Sequence, residues 1–392
     1  MHFFSLLNTV LIMTSLISAV SGTYLVQLLA DTDIEEYLTL HPVLRAKMIR
    51  TYSFGSFRAI ATNCDENFVN ALGHHPLVKN ISPDIIFQAN DIKTKKSINT
   101  KSLTTQAGAP RHLARLSQQG ALSSTEALTY SYDSSAGTSV DAYVLDTGIY
   151  KEHPEFGGRA VAGADFTGEG LGDRNGHGTH VAGLIGSSTY GVAKNVSIIE
   201  VKILNESGGG SLSTVIAGLD YAVTQRASTG RKSVANLSLG AFYNAILNNA
   251  ITAAVESGLA VVVAAGNDGL PACAFSPASS REALTVGALD DADDTIAPFS
   301  NWGHCVDVFA SGVEVKSLLN SGNGTVSYSG TSMASPIAAG LMAYFMALGD
   351  DATSAIERVR NEATRGAIKW RQILIRPFTP NKVAYNLGGQ PL

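Results

Sequence analysis

The sequence has little charge, no basic tract and few cysteines. Charged residues make up 16% of the 392 residues, and the net charge is −5. No run of basic residues interleaves with aromatics, so the sequence gives no indication of nucleic-acid binding. Hydrophobic residues make up 45% of the chain, which is ample for a large core and argues against disorder. The three cysteines are an odd number, so their pairing needs a separate argument.

Long hydrophobic runs are also scarce. One lies at Leu6–Ile17 and is followed by the small residues of 18–22. This pattern is typical of a secretory signal peptide, although His2 is the only basic side chain before the run. A membrane anchor or a buried helix is the alternative, but the run is shorter than the roughly 20 residues that a span needs. We predict a signal peptide over residues 1–22, a secreted protein and no membrane span.

Residues 23–103 predict a small α+β unit. The expected strands are Tyr24–Leu29 and Ser53–Ala61, the expected helices Thr32–Leu38 and Asn67–Leu72, and the expected extended segment Val78–Phe87. The polar residues Asp91–Thr105 follow and include several lysines. Such a segment is typical of an exposed linker that proteases cut.

Residues 104–392 predict a doubly wound α/β domain. Apolar runs that predict buried strands lie at Val140–Leu145, Val196–Leu204, Ser233–Leu239, Leu259–Ala265, Ala283–Ala288 and Val306–Ala310. Helical patterns lie between and after them, at His177–Ser187, Ser211–Ala227, Ala245–Ser257 and Ser332–Leu348. Strands that are apolar on both faces and separated by helices favour a parallel sheet covered on two sides.

Three glycine-framed motifs carry the residues that acyl transfer needs. They are Val144-Leu-Asp146-Thr-Gly, Asn175-Gly-His177-Gly-Thr-His180 and Gly330-Thr-Ser332-Met-Ala-Ser-Pro336. Together they offer an anion, a base and a weak nucleophile. Taken singly, each has a structural explanation. Asp146 could be a turn carboxylate, and Ser332 could be a helix N-cap.

The two histidines of the second motif also raise the question of a metal. A zincin helix carries His-Glu-x-x-His, with the histidines four apart and a glutamate base. Here His177 and His180 are three apart, and Gly178 stands in the place of the glutamate. The motif therefore does not predict zinc, and we expect His180 to be structural.

The three motifs, in this order and with Ala264-Ala-Gly-Asn267 between the second and third, resemble the subtilisin-like serine proteases, and within them the proteinase K-like group. The resemblance implies a serine endopeptidase in which Asp146, His177 and Ser332 form the triad and Asn267 helps to bind the oxyanion. One alternative is a catalytically inactive homologue that binds peptides. Another is a lipase-like hydrolase, but those have the chain order Ser, Asp, His and a Gly-x-Ser-x-Gly motif.

The same resemblance implies a substrate cleft. Some of its residues would pair with a peptide substrate, and others would line the pocket for the substrate residue that precedes the scissile bond. Together they are Gly208, Gly209, Gly210, Leu212, Ser238, Leu239, Gly240, Ala264, Ala265 and Gly266. The small side chains at 264–266 leave room for an apolar or aromatic group. The implied partners are protein or peptide substrates.

The resemblance further implies that residues 23–103 form an inhibitory prosegment, cut near Leu103–Thr104 by Ser332 in cis, and that the mature enzyme is a monomer. Cys64 would leave with the prosegment, so Cys273 and Cys305 could pair in an oxidising compartment; two unrelated thiols are the alternative. No cofactor is required for the chemistry. A structural calcium ion could bind Asp307 with the carbonyl groups near Arg281 and Ala283, or Asp307 could be an ordinary strand-edge aspartate.

Overall fold

The computed structural model describes residues 22–89, 92–94, 105–122 and 127–389. Residues 1–21 of the signal peptide predicted over 1–22, most of the linker Asp91–Thr105 and the cut expected at Leu103–Thr104 lie outside these residues. The chain divides into two compact units. One comprises the described residues within 1–51 and 58–84, and the other those within 52–57 and 85–392.

The first unit is built on a four-stranded sheet. In spatial order its strands are Met48–Phe54, Phe57–Cys64, Gly22–Leu28 and Val78–Pro83. Its helices are Ile34–Leu40, Pro42–Lys47 and Glu66–Leu72. The single strand predicted over Ser53–Ala61 is wrong, because the chain turns at Gly55 between two strands. The φ of +46° at Gly55 is unfavourable for a residue that has a side chain. The α+β pattern of the unit is as predicted.

A central, mostly parallel sheet forms the core of the second unit. In spatial order its strands are Ala160–Asp165, Ser197–Lys202, Val140–Asp146, Lys232–Leu237, Ala260–Ala264, Leu284–Asp290, Val308–Ser311, Lys382–Val383 and Thr364–Arg365, with Thr295–Ile296 beside Leu284–Asp290. Pairing is parallel from the first of these strands to Lys382–Val383. The doubly wound α/β fold predicted from the alternation of strands and helices is therefore confirmed.

The order of the strands fixes where a site can form. The chain starts the sheet at Val140–Asp146, adds two strands on one side, and then crosses to Lys232–Leu237 on the other. In doubly wound sheets ligands bind at this reversal, beyond the carboxyl ends of the strands. Asp146 is the last residue of the first strand and so lies at the reversal.

Helices cover the sheet. The longer ones are His177–Gly186, Leu212–Thr229, Ala245–Glu256, Thr331–Ala347 and Ala352–Glu362, and the shorter ones Arg111–Leu116 and Trp370–Leu374. Side-chain caps define several of their starts: Ser211 accepts from the N–H of Thr214, and Asn244 from that of Leu247. Thr331–Ala347 is buried along almost its whole length, so its residues are apolar on every face.

Three small antiparallel sheets complete the unit. Ile86–Ala89 pairs on one side with Gly209–Ser211 and on the other with Leu239–Phe242, which also pairs with Phe275–Ser276. A second sheet contains Val315–Leu318, Thr325–Ser329 and Ile92–Thr94, and a third contains Thr105–Ala107 and Thr129–Ser131.

No single helix in the described parts of the chain is long and apolar enough to cross a membrane; Thr331–Ala347 and Ala352–Glu362 meet the criteria only as a pair bent by 117°.

Candidate active site

Asp146 and His177 form a buried pair at the reversal of the sheet. Oδ1 of Asp146 lies 2.7 Å from Nδ1 of His177, and neither side chain is exposed. Strand Val140–Asp146 ends at the aspartate, and helix His177–Gly186 begins at the histidine. A carboxylate at Nδ1 fixes the tautomer with the proton on Nδ1, which leaves Nε2 as the basic atom.

Asp173 and Thr147 hold the start of this helix, and sequence reasoning missed both. Oδ1 of Asp173 accepts from the N–H of Gly176 at 2.8 Å and from the hydroxyl of Thr147 at 3.0 Å. The Thr147 hydroxyl in turn accepts from the N–H of Gly178 at 2.9 Å. The residue after Asp146 is thus tied to the residue after His177. An aspartate four residues before the histidine was the available signal, since aspartate side chains often accept from backbone N–H groups in turns.

Gly178 permits the close approach of strand and helix. A Cβ atom there would lie 2.1 Å from the carbonyl oxygen of Gly148 and 3.2 Å from Oδ1 of Asp146. No side chain fits at that distance. Glycine between His177 and Thr179 is therefore required by the packing that joins the carboxylate to the imidazole.

Ser332 is the second residue of helix Thr331–Ala347 and is buried. Its hydroxyl donates to the carbonyl oxygen of Ser238 at 3.0 Å, and the hydroxyl of Ser238 donates to the carbonyl oxygen of Ser332 at 3.1 Å. These reciprocal bonds join the helix start to the cleft strand Leu239–Phe242. The position at a helix N-terminus favours negative charge near the hydroxyl.

Asn267 is hydrogen-bonded to Thr331, the residue that directly precedes Ser332. Oδ1 of Asn267 accepts from both the N–H and the hydroxyl of Thr331, each at 2.9 Å. Because Oδ1 is held in this way, the amide orientation is fixed and Nδ2 faces away from Thr331. An amide donor in a fixed orientation next to a helix N-terminus can stabilise an oxyanion.

Asn301 supports the loop that carries Asn267, and no motif in the sequence pointed to it. It is buried, donates to the carbonyl oxygen of Ala265 at 2.9 Å and accepts from the N–H groups of Asp268 and Leu270, each at 3.0 Å. One side chain therefore satisfies three backbone groups of this loop.

The residues of the predicted cleft lie in two groups. Gly209 and Gly210 begin the strand Gly209–Ser211, while Leu239 and Gly240 begin Leu239–Phe242, and the two strands flank Ile86–Ala89. Gly208 accepts from the N–H of Ala89 at 2.9 Å. Leu212, Ala264 and Ala265 are buried, and Gly266 follows with a φ of +103°.

His180 has a structural environment, as expected from its spacing. It is buried, its Nε2 lies 3.1 and 3.2 Å from the carbonyl oxygens of Val315 and Val326, and its ring stacks on Tyr328. Burial, reinforced by the neighbouring His177, lowers the pKa of His180 to about 3. The ring of His180 is therefore neutral, and its Nε2–H donates to both carbonyl groups. These bonds link helix His177–Gly186 to the sheet that contains Val315–Leu318 and Thr325–Ser329.

Asp307 contacts an arginine at the place where the resemblance implied calcium. Arg360 Nε donates to Oδ1 of Asp307 at 3.0 Å, and its Nη2 lies 3.1 Å from the carbonyl oxygen of Ala283 and 3.3 Å from that of Arg281. Burial raises the pKa of Asp307, and the charge of Arg360 opposes that rise. The guanidinium group is thus bound to the oxygens that calcium would need, so these residues do not fit a calcium ion.

Cys273 and Cys305 form a disulfide with a Cα–Cα distance of 5.4 Å, whereas Cys64 is a buried free thiol. The pairing expected from the sequence is present.

Comparisons with known proteins identify the family of this chain. Residues 135–373 match the family model described as the subtilase family. Subtilase-type proteinase RRT12 of Saccharomyces cerevisiae is 41% identical over 87% of this chain and 76% of its own. Subtilisin-like serine protease AsES of Sarocladium strictum is 40% identical over 94% and 90% of the two chains.

A solved structure of a cold-adapted subtilisin-like serine proteinase is also similar. It is 38% identical, has a TM-score of 0.65, and covers 71% of this chain and 98% of its own. Residues 135–373, which match the family model, contain the paired Asp146 and His177, and also Ser332 and Asn267. The chain therefore belongs to the subtilase family of serine-type endopeptidases.

Proposed function

We propose that the chain is a secreted endopeptidase in which Ser332 is the nucleophile, His177 the base and Asp146 the residue that orients it. The observation that carries the proposal is the 2.7 Å contact between Asp146 and His177 at the sheet reversal. It is supported by the link from Ser332 through Ser238 to the cleft strand.

In the proposed reaction the Ser332 hydroxyl turns from the carbonyl oxygen of Ser238 toward Nε2 of His177. Its oxygen attacks the scissile carbonyl carbon while His177 takes its proton, and His177 then returns the proton to the leaving amine. A water molecule then attacks the ester on Ser332 in the same way, with His177 again as the base, and releases the acyl group as a carboxylate. Asp146 stabilises the imidazolium ion that forms in each half of the reaction.

The proposed oxyanion site consists of Nδ2 of Asn267 and the backbone N–H of Ser332. Both would donate to the negative charge that develops on the carbonyl oxygen. Loss of one such donor costs about 3–4 kcal/mol of transition-state stabilisation, so Asn267→Leu should lower kcat by two to three orders of magnitude, with KM little changed.

The triad itself is tested by single and combined substitutions. Ser332→Ala should lower peptidase activity by several orders of magnitude and abolish labelling by a serine-directed phosphonate. The triple substitution of Asp146, His177 and Ser332 should be little worse, because the three act as a unit. Losses that multiply would contradict a shared mechanism. Wild-type protein that binds peptides but takes up no label would instead identify an inactive binding homologue.

We further propose that the protein is made as a preproenzyme and acts as a monomer outside the cell. The preproenzyme is supported by one observation: Ile86–Ala89 is paired on both sides with strands of the predicted cleft, which is the arrangement of a bound peptide. The isolated segment 23–103 should inhibit the mature wild-type enzyme, and Ser332→Ala should accumulate as the larger proform.

A further inference from the structure

Four large apolar side chains are exposed together on the short helix Trp370–Leu374 and the turn that follows it. Each is between 66% and 84% exposed, and they are Trp370, Leu374, Ile375 and Phe378. Single exposed apolar residues are common on soluble proteins, whereas a contiguous apolar patch marks an interaction site. These four residues therefore need a partner that the fold itself does not supply.

The helix directs these side chains away from the core. At about 100° per residue, one arc of about 140° holds four exposed side chains, Trp370, Arg371, Leu374 and Ile375. Ile373 lies on the other side and packs against a buried cluster of the second unit. A surface helix ordinarily presents polar residues to water, so the apolar arc is the reverse of the expected pattern.

Phe378 combines exposure with an unfavourable backbone conformation. Its φ is +62°, which is rare for a bulky residue. The turn that carries it is closed by the N–H of Thr379, which donates to the carbonyl oxygen of Arg376 at 3.3 Å. Neither burial nor backbone preference accounts for an aromatic ring at this position. Backbone strain of this kind is concentrated at functional sites.

The same segment is basic. No acidic residue occurs from Ala363 to Leu392 in a chain whose net charge is −5, whereas five basic residues do, namely Arg365, Lys369, Arg371, Arg376 and Lys382. In the described parts of the chain only Lys369 of these five forms an ion pair, with the exposed Asp293. Arg365 and Lys382 are direct cross-strand partners, an arrangement in which like charges repel. We call the four apolar and five basic residues the cationic–apolar surface.

We propose that the cationic–apolar surface binds a bilayer that contains anionic lipids. In peripheral membrane binding, apolar side chains enter the boundary between headgroups and acyl chains, while lysine and arginine contact anionic headgroups. The guanidinium group of Arg371 lies 5.7 Å from the centre of the Trp370 ring, so one insertion site carries both kinds of contact. Binding of this kind needs no spanning helix and is independent of the proposed role of Ser332.

A second copy of the chain is a poorer partner for this surface. Two identical faces would bring like charges together, and such contacts oppose association. An acidic protein would satisfy the cations but needs a matching apolar face as well. A bilayer with anionic headgroups supplies both properties in one surface.

Tryptophan fluorescence tests the proposal, because Trp302 and Trp370 are the only two tryptophans. The full chain with Ser332→Ala, which avoids self-digestion, is mixed with vesicles of phosphatidylcholine alone or of equal parts phosphatidylcholine and phosphatidylserine. We expect sedimentation with the anionic vesicles only, a blue shift of emission, and weaker binding at high salt. Trp370→Phe should abolish the shift, since Trp302 is held by a bond to the carbonyl oxygen of Gly269. Protein that does not sediment with the anionic vesicles would overturn the proposal.

Matched variants separate insertion from general exposure. Phe378→Asn keeps a residue that tolerates a positive φ and should lower the vesicle association constant by at least about tenfold, the contribution of one buried aromatic side chain. Leu40→Ser changes an apolar residue of the first unit that is 70% exposed and should leave binding unchanged. Equal losses in the two variants would contradict insertion at Phe378.

A second pair of variants tests the charge. Arg371→Gln should weaken binding to anionic vesicles about fivefold, whereas Arg281→Gln, which removes an exposed cation elsewhere, should not. Two further outcomes would overturn the proposal. Dimerisation without vesicles that Phe378→Asn abolishes would identify a second copy as the partner. Vesicle binding that both Trp370→Phe and Phe378→Asn leave unchanged would place the lipid contact on another surface.

Discussion

Asp173 accepts hydrogen bonds from both the N–H and the hydroxyl of Thr179, at 2.9 and 2.6 Å. Its other oxygen accepts from the N–H groups of Asn175 and Gly176 and from the Thr147 hydroxyl. One carboxylate therefore holds the turn before His177, the first turn of its helix and the residue after Asp146. This arrangement sets the position of the imidazole without touching a substrate.

Asp173→Ala is expected to lower kcat by about tenfold to a hundredfold, with a smaller effect on KM, because small displacements of a catalytic group have costs of that size. The loss of these hydrogen bonds should also reduce stability by about 1–3 kcal/mol. Asp165→Ala is the matched control. Asp165 accepts from Thr167 and Gly170 in a similar turn but has no contact with the helix start. Equal kcat losses in the two variants would show that the role of Asp173 is only structural.

Gly178→Ala should inactivate the enzyme. The added Cβ would lie 2.1 Å from the carbonyl oxygen of Gly148, so helix and strand must separate and the contact between Asp146 and His177 must lengthen. Gly120→Ala is the control, because a Cβ there meets nothing within 4 Å. Steady-state kinetics and circular dichroism of both variants check the expectation. Wild-type kcat in Gly178→Ala would contradict the close packing described here.

We expect that calcium does not raise the thermal stability of the protein by binding at Asp307, because Arg360 is already bound there. Wild-type protein should have the same thermal midpoint with calcium and with a chelator. Arg360→Met removes the cation from a carboxylate that is 22% exposed. It should lower stability by less than the roughly 3–5 kcal/mol expected for a fully buried pair, and adding Asp307→Asn should restore part of the loss. A calcium-dependent wild-type midpoint that Asp307→Asn abolished would show that the ion, not the guanidinium group, is bound there.

Stability should fall in mild acid because two histidines are buried in the neutral form. Burial lowers the pKa of His180 to about 3 and that of His112 to about 4. The unfolded chain takes up protons near the reference pKa of about 6.5, but the folded chain does not until these lower values are reached. Between those limits unfolding is favoured as pH falls, by up to about 1.4 kcal/mol per pH unit for each histidine.

Thermal unfolding of the Ser332→Ala proform, which avoids self-digestion, at pH 7 and pH 5 checks this expectation. His112→Gln should be less stable at pH 7 but should lose less stability on acidification, since one of the two buried groups is gone. An identical decline in both proteins would mean that other groups cause it.

The sequence by itself determined the family and the fold class. The family is recognisable because the motifs that contain Asp146, His177 and Ser332 are short and local. In one of them the tertiary structure shows why glycine is needed: a Cβ atom at Gly178 would lie 2.1 Å from the carbonyl oxygen of Gly148. The fold class follows from the pattern along the chain: strands that are apolar on both faces and alternate with helices favour a covered parallel sheet.

Only the tertiary structure decided which distant residues support the site. Arg360 reaches Asp307 from a helix far along the chain, Asn301 holds the loop of Asn267, and Ile86–Ala89 finds its partners at Gly209–Ser211 and Leu239–Phe242. No motif contains Arg360, Asn301 or Ile86–Ala89, since the roles of these residues depend on where the chain returns in space. Local patterns encode local geometry, whereas contacts between distant segments arise only when the whole core is packed.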